Sequence, residues 1–159
     1  MILLIAYGNS LRRDDGAGFV LAGLLERLLL GAGSDVQRID CHQLTPELSI
    51  DVAAEDVSAV VFLDTRVAGP SDDFRLHIEK VTPPETASSA VGHHMDAAVI
   101  LAYAGALTGK PLPAAWLVTI PGIDFNHGEG FSETTDAVLR SAPEELTEFI
   151  RVVFPARSR

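Results

Sequence analysis

Cysteine is nearly missing from this sequence: Cys41 is the only one among 159 residues. An internal disulfide is thereby excluded, as expected in a reducing compartment. Cys41 falls at the end of a predicted strand, where a free thiol usually packs as a small hydrophobe, so it reads as structural rather than nucleophilic. Basic residues are also scarce, with 12 Lys and Arg against 22 Asp and Glu and a net charge of −10. Phosphate binding needs clustered cations, and the one adjacent basic pair is Arg12-Arg13. This argues against a nucleic-acid partner, and an acidic surface suits anionic membranes poorly. No apolar run is long enough to cross a bilayer. The opening Met1-Ile2-Leu3-Leu4-Ile5-Ala6 lacks the basic start of a signal peptide and runs into Gly8-Asn9. It reads as a buried first strand, and the cytoplasm is the expected compartment. The three-glycine dinucleotide fingerprint, the Gly-Lys-Ser/Thr phosphate loop and the Gly-x-Ser-x-Gly elbow are all lacking, so no nucleotide cofactor is expected.

What is present is a chain with enough apolar content for a packed core, 47% hydrophobic and 21% charged. Its length suits a single domain over residues 1–155, with 156–159 as a short tail. Strand and helix patterns alternate. Residues 2–7 form a short apolar run, followed by a polar loop over Leu11 to Gly16. Val20, Leu21, Leu24, Leu25, Leu28 and Leu29 then recur at helical spacing, and Gly31 and Gly33 close that helix.

A second strand spans Val36 to Cys41. Thr45 as cap and Pro46 in the first turn start a helix running to Ala54. Val57 to Leu63 is continuously apolar, the mark of a central strand. Phe74, Leu76 and Ile78 alternate with polar residues as in a half-exposed edge strand. A helix starting near Asp96 carries Val99, Ile100, Tyr103 and Leu107 and ends near Gly109. Ala114 to Ile120 is a buried strand stopped by Pro121-Gly122. Ser132 caps a last helix that Pro143 kinks or divides. The expected fold is α/β: a twisted, mostly parallel sheet of about five strands with helices on both faces.

In such sheets, sites form where loops gather at the carboxyl ends of strands. Asp14 and Asp15 follow the first strand, Asp64 ends the third, and His93 and His94 precede the helix near Asp96. Two carboxylates and an imidazole brought together would bind a borderline divalent metal such as zinc or nickel. Singly, each has a plainer reading. An acid before a helix favours its macrodipole, an aspartate at a strand end can bond its own backbone, and one of two adjacent histidines is a solvated or capping residue.

The run Gly8-Asn9-Ser10-Leu11-Arg12-Arg13-Asp14-Asp15-Gly16-Ala17-Gly18 resembles the opening signature of the hydrogenase maturation endopeptidases. There, a Gly-Asn-x-Leu turn leads to an acidic pair and then to glycine. Similarity resumes at Leu63-Asp64, at Ser88 to Leu101, at Thr119-Ile120-Pro121 and at Gly130-Phe131-Ser132, and so covers almost the whole chain. The resemblance implies removal of a C-terminal extension from a nickel-iron hydrogenase large-subunit precursor once nickel has been inserted. It implies Asp15, Asp64 and His93 as metal-contacting residues. The run from His93 to Pro121 keeps the family's distance to its strand-end Ile-Pro, so the resemblance favours His93 over His94. The metal is then the precursor's own nickel, recognised so as to position the scissile bond; the alternative is another divalent metal at the same site, activating water. Asp14 or Asp40 is a candidate general base. The chain departs from the family after its second strand, where Asp40-Cys41-His42-Gln43-Leu44-Thr45-Pro46-Glu47 replaces a glycine-rich turn. That departure keeps open a non-catalytic maturation chaperone that docks the precursor; a second rival is a metallohydrolase acting on small peptides.

Overall fold

The computed structural model of the protein describes residues 1–84 and 95–155. Its strands are β1 (Ile2–Tyr7), β2 (Val36–Cys41), β3 (Ala59–Val67), β4 (His77–Lys80) and β5 (Ala114–Gly122). Its helices are α1 (Ala17–Gly31), α2 (Leu48–Val52), α3 (Ala97–Thr108) and α4 (Glu133–Val153). The strands join in one sheet of order β2-β1-β3-β5-β4. All neighbours are parallel except β4, which runs antiparallel to β5 at the edge.

The two-residue period of the strands sorts the core into two layers. Leu4, Ala6, Val61, Leu63, Val118 and Ile120 face α1 and α4, where Leu21, Leu25 and Leu146 are fully buried. Leu3, Ile5, Val60 and Phe62 face α2 and α3, against Leu48, Val52, Ile100 and Leu101. Because both faces are covered, β1 and β3 read as unbroken apolar runs. Each such aliphatic or aromatic side chain contributes roughly 1.5–3 kcal/mol by leaving water. The α/β sheet is as the alternating pattern implies.

Several boundaries differ from the sequence expectation, each for a physical reason. β3 starts at Ala59 and continues to Val67, because β5 pairs with it from Ala59↔Ala114 to Val67↔Gly122. Its pairing to β1 stops at Ala6↔Leu63. Asp64 therefore lies inside β3 rather than at its end, yet just beyond the last position that β1 covers. β5 runs through Pro121 and Gly122 instead of stopping before them. The last β4 pair is His77↔Thr119, so Pro121 has a partner strand on one side only, where proline is tolerated.

The helix expected from Pro46 to Ala54 shrinks to α2. Leu48, Ser49 and Ile50 donate to carbonyls three residues back, the tight-turn pattern, and no side chain caps the helix. The edge strand is confined to β4, because the Asp72 and Asp73 carboxylates accept from Phe74 N and Arg75 N and turn the chain there. α4 is a single helix through Pro143, with Val138, Leu139 and Ala142 buried before the proline and Leu146, Phe149 and Ile150 after it. Burial on both sides offsets the hydrogen bond that proline cannot make.

Candidate functional site

Strand order reverses between β1 and β3: from β1 the chain goes to β2 on one side and then to β3 on the other. A reversal of this kind opens a crevice at the carboxyl ends of the two strands. Into it opens a cavity of about 390 Å³ lined by Tyr7, Gly8, Asp15, His42, Gln43, Leu44, Asp64 and Met95.

The turn after β1 brings the first acid to this cavity. Gly8 has φ +149, and a Cβ there would sit 2.3 Å from the Asp15 carbonyl oxygen, so only glycine fits. Asn9 N donates to Asp15 Oδ2 at 2.9 Å, and Asn9 Oδ1 accepts from Leu11 N at 2.9 Å, folding the loop back on itself. A short 3-10 turn over Arg13–Gly16 then delivers the chain into α1.

Asp64 shares the strand parity of Val60 and Phe62, so it belongs to the α2/α3 face, as Tyr7 does. A Cβ on Gly18 would come within 3.2 Å of Asp64 Cα; glycine lets the start of α1 pack directly on β3 here. Asp64 Oδ1 accepts from Thr65 N at 2.8 Å, and the Tyr7 hydroxyl lies near the same carboxylate. Burial, joined by the charge of Asp15, pushes the Asp64 carboxyl up to about 6, against the opposing pull of the Thr65 N–H and the Tyr7 hydroxyl. Burial and the nearby Asp64 and Asp96 charges push the Tyr7 hydroxyl far above its ordinary value.

The other sequence candidates lie elsewhere. Asp14 is fully buried and does not line the cavity. Its carboxylate accepts from Ile123 N, Asp124 N, Ser132 N and Ser132 Oγ at 2.8–2.9 Å. Burial works to raise this carboxyl, but the hydrogen bonds from Ile123, Ser132 and Asp124 outweigh it and hold the group below the usual range. Asp14 is thus the anchor between the β1–α1 loop and the segment that leads into α4. Around it, Arg13 N donates to Gly128 O, Gly128 N to Leu11 O, and the Arg12 side chain to Phe125 O.

Asp40 sits on the opposite face of the sheet from the cavity, with the parity of Ala6. It is paired to Arg38 at 2.7 and 2.8 Å, and Arg38 also reaches Phe19 O on α1. Neither Asp14 nor Asp40 is placed to act on something bound in the cavity. His93 and His94 lie outside the described residues.

Tyr7, His42, Gln43 and Met95 also line the cavity and are not among the candidates that the sequence offers. Tyr7 is the last residue of β1 and His42 the first after β2, so the strand-end rule that picked out the acids would have found both. Cys41, beside His42, is a partly buried thiol whose Sγ donates to Ala6 O at 3.7 Å. Burial pushes that thiol up, which fits the structural role expected of it. Among the described residues, the one trio of metal-type donors within 4.8 Å of one another is Asp72, Asp73 and His77. There the Arg66 guanidinium already grips Asp72 at 2.7 and 2.9 Å and holds its carboxyl down to about 2, so the cation position is taken by protein.

Among solved structures, a nickel-iron hydrogenase maturation protease, HycI, from Thermococcus kodakarensis superposes with a TM-score of 0.65 at 22% identity, covering 94% of this chain and 92% of that one. The fold is that of the hydrogenase maturation proteases. The maturating endopeptidase HybD of Escherichia coli gives 0.64 at 19% identity, covering 96% and 93%. A hydrogenase 2 maturation peptidase from a thaumarchaeon gives 0.60 at 21%, covering 94% and 97%. These proteases match the present chain over nearly its whole length and theirs, and at such identities what is shared is the architecture. No family model matches the sequence, and no curated protein does. No helix among the described residues is long and apolar enough to cross a membrane.

Proposed function

We propose that the protein is an endopeptidase that removes the C-terminal extension of a nickel-iron hydrogenase large-subunit precursor after nickel insertion, recognising the bound nickel. The observation that carries this reading is the pairing of Asp15 and Asp64 on one cavity that, among the described residues, no lysine or arginine lines. Two carboxylates close enough for one to raise the other are relieved by a cation, and their oxygens suit a borderline divalent metal. Two acids hold such an ion incompletely and leave positions for ligands from the precursor. The nickel is therefore part of the substrate, and His93 goes with the two acids in contacting it. Asp15 and Asp64 act by fixing the precursor so that its scissile bond lies in the cavity, which makes the gain chiefly one of orientation. The shared architecture with maturation proteases supports the same reading. A cytoplasmic location goes with it and with the unpaired thiol of Cys41.

The test is to mix the protein with nickel-loaded and nickel-free precursor and follow the large-subunit mass. Cleavage of the loaded form alone is expected. Equal cleavage of both removes nickel as the recognition element, and binding without cleavage of either makes the protein a docking module. Asp15→Asn is expected to abolish processing while the precursor still co-elutes with the protein.

A further inference from the structure

We propose that His42 is the group that takes and returns the proton when the peptide bond is hydrolysed in this cavity, an inference that rests on the peptidase reading above. His42 follows directly on β2, whose last residue, Cys41, is in register with Tyr7. Gly8 N donates to Cys41 O at 3.3 Å on one side of it, and Leu44, only 6% exposed, is buried on the other. Two anchors within three residues therefore fix the backbone that presents this exposed imidazole to the cavity shared by Asp15 and Asp64.

The acids nearby are committed. Asp64 accepts from Thr65 N, and Asp15 from Asn9 N. In the proposed function both acids are also taken up by the nickel of the precursor. The Asp14 carboxylate is filled by four hydrogen bonds, and Asp40 is on the far face with Arg38. Imidazole is the side chain suited to accept and return a proton near neutral pH, and His42 is the one histidine lining this cavity among the described residues.

Its position also separates it from an ion-holding role. Asp15, Asp64 and His42 do not form a trio of donors within 4.8 Å. In the step it serves, a water oxygen bonds to the scissile carbonyl carbon as a His42 ring nitrogen takes the water's proton. The C–N bond then breaks, and the imidazolium gives that proton to the departing nitrogen. One water is consumed, and a carboxyl and an amine terminus are released.

Single-turnover cleavage of nickel-loaded precursor by wild type, His42→Ala and His42→Gln tests this. Both variants are expected to cut at least about 100-fold more slowly, the range typical of lost proton transfer. Thermal melting and co-elution with precursor should be unchanged, and added imidazole should restore part of the lost rate to His42→Ala. Wild-type cleavage by His42→Ala overturns the inference and leaves the peptidase reading standing. So does rapid cleavage by His42→Gln alone, which would make His42 a hydrogen-bonding residue, and so does loss of precursor binding in both variants, which would make it a docking residue. A wild-type protein that cuts no precursor removes the peptidase reading and this inference together.

Discussion

Asp14 and Asp64 are both acids drawn out of water, and the protein surrounds their charges in opposite ways. Four hydrogen-bond donors converge on Asp14, and its carboxyl stays below the usual range. Asp64 is given the Thr65 N–H, with the Tyr7 hydroxyl nearby, but is set near a second acid, and its carboxyl is pushed up to about 6. A buried acid ringed by backbone N–H groups is a structural tie. One left beside another acid at the mouth of a crevice is a site awaiting a positive partner. Sequence adjacency hides the contrast, since the acid that belongs with Asp64 is Asp15, the immediate neighbour of Asp14.

The largest expected effect falls on the tie. Asp14→Ala leaves the amides of Ile123, Asp124 and Ser132 without their acceptor and should cost about 4 kcal/mol of folding stability in urea denaturation. A variant as stable as wild type but unable to process precursor would move Asp14 into the reaction and collapse the contrast. Next, Asp64→Asn should slow processing at least about 100-fold through lost positioning of the substrate. Its melting temperature near neutral pH should equal or exceed that of wild type, because an ionised acid is removed from beside Asp15.

The two acids also contribute to pH dependence with opposite sign. The folded Asp14 carboxyl lies below its unfolded value, so the stability it provides is present above about pH 4 and is lost as pH falls through the folded value. The folded Asp64 carboxyl lies above its unfolded value. Its penalty is absent below about pH 4, grows as pH rises through about 6, and stays constant beyond. Wild type and Asp64→Asn should therefore differ in urea midpoint above that range and coincide below it; equal midpoints throughout would mean Asp64 is not strained by burial and Asp15. The smallest effect is that of Tyr7→Phe, which should change folding stability by about 1 kcal/mol or less. Since the phenol pulls the Asp64 carboxyl down, its removal should raise the Asp64 titration midpoint followed by NMR.

Much of this layout is visible in the sequence, because its strongest signals are local. The apolar run at Ile2–Tyr7, the leucine spacing of α1 and the Ser132 cap each depend on near neighbours, and each element forms where those signals place it. What was not legible depends on partners distant in the chain. β3 outlasts Leu63 because β5 lies alongside it, and Pro121 is accepted because β4 has already ended. The different fates of Asp14 and Asp15 are decided by Ile123, Asp124 and Ser132, more than 100 residues away. Tyr7 and His42 carry no local signal beyond their place at strand ends, and it is the register of β1 with β2 that brings them to the same rim.

The ties between the β1–α1 loop and residues 123–132 bear on how this protein tolerates change. The latter segment does not line the cavity, and by exposure alone it resembles a permissive surface connection. Yet its amides hold Asp14, and Gly128 exchanges backbone hydrogen bonds with Leu11 and Arg13. Lengthening it by even a few residues would shift the turn that aims Asp15. An affinity tag or graft is therefore better placed beyond Gly109, where α3 ends in the left-handed conformation and a Cβ would meet nothing within 4 Å.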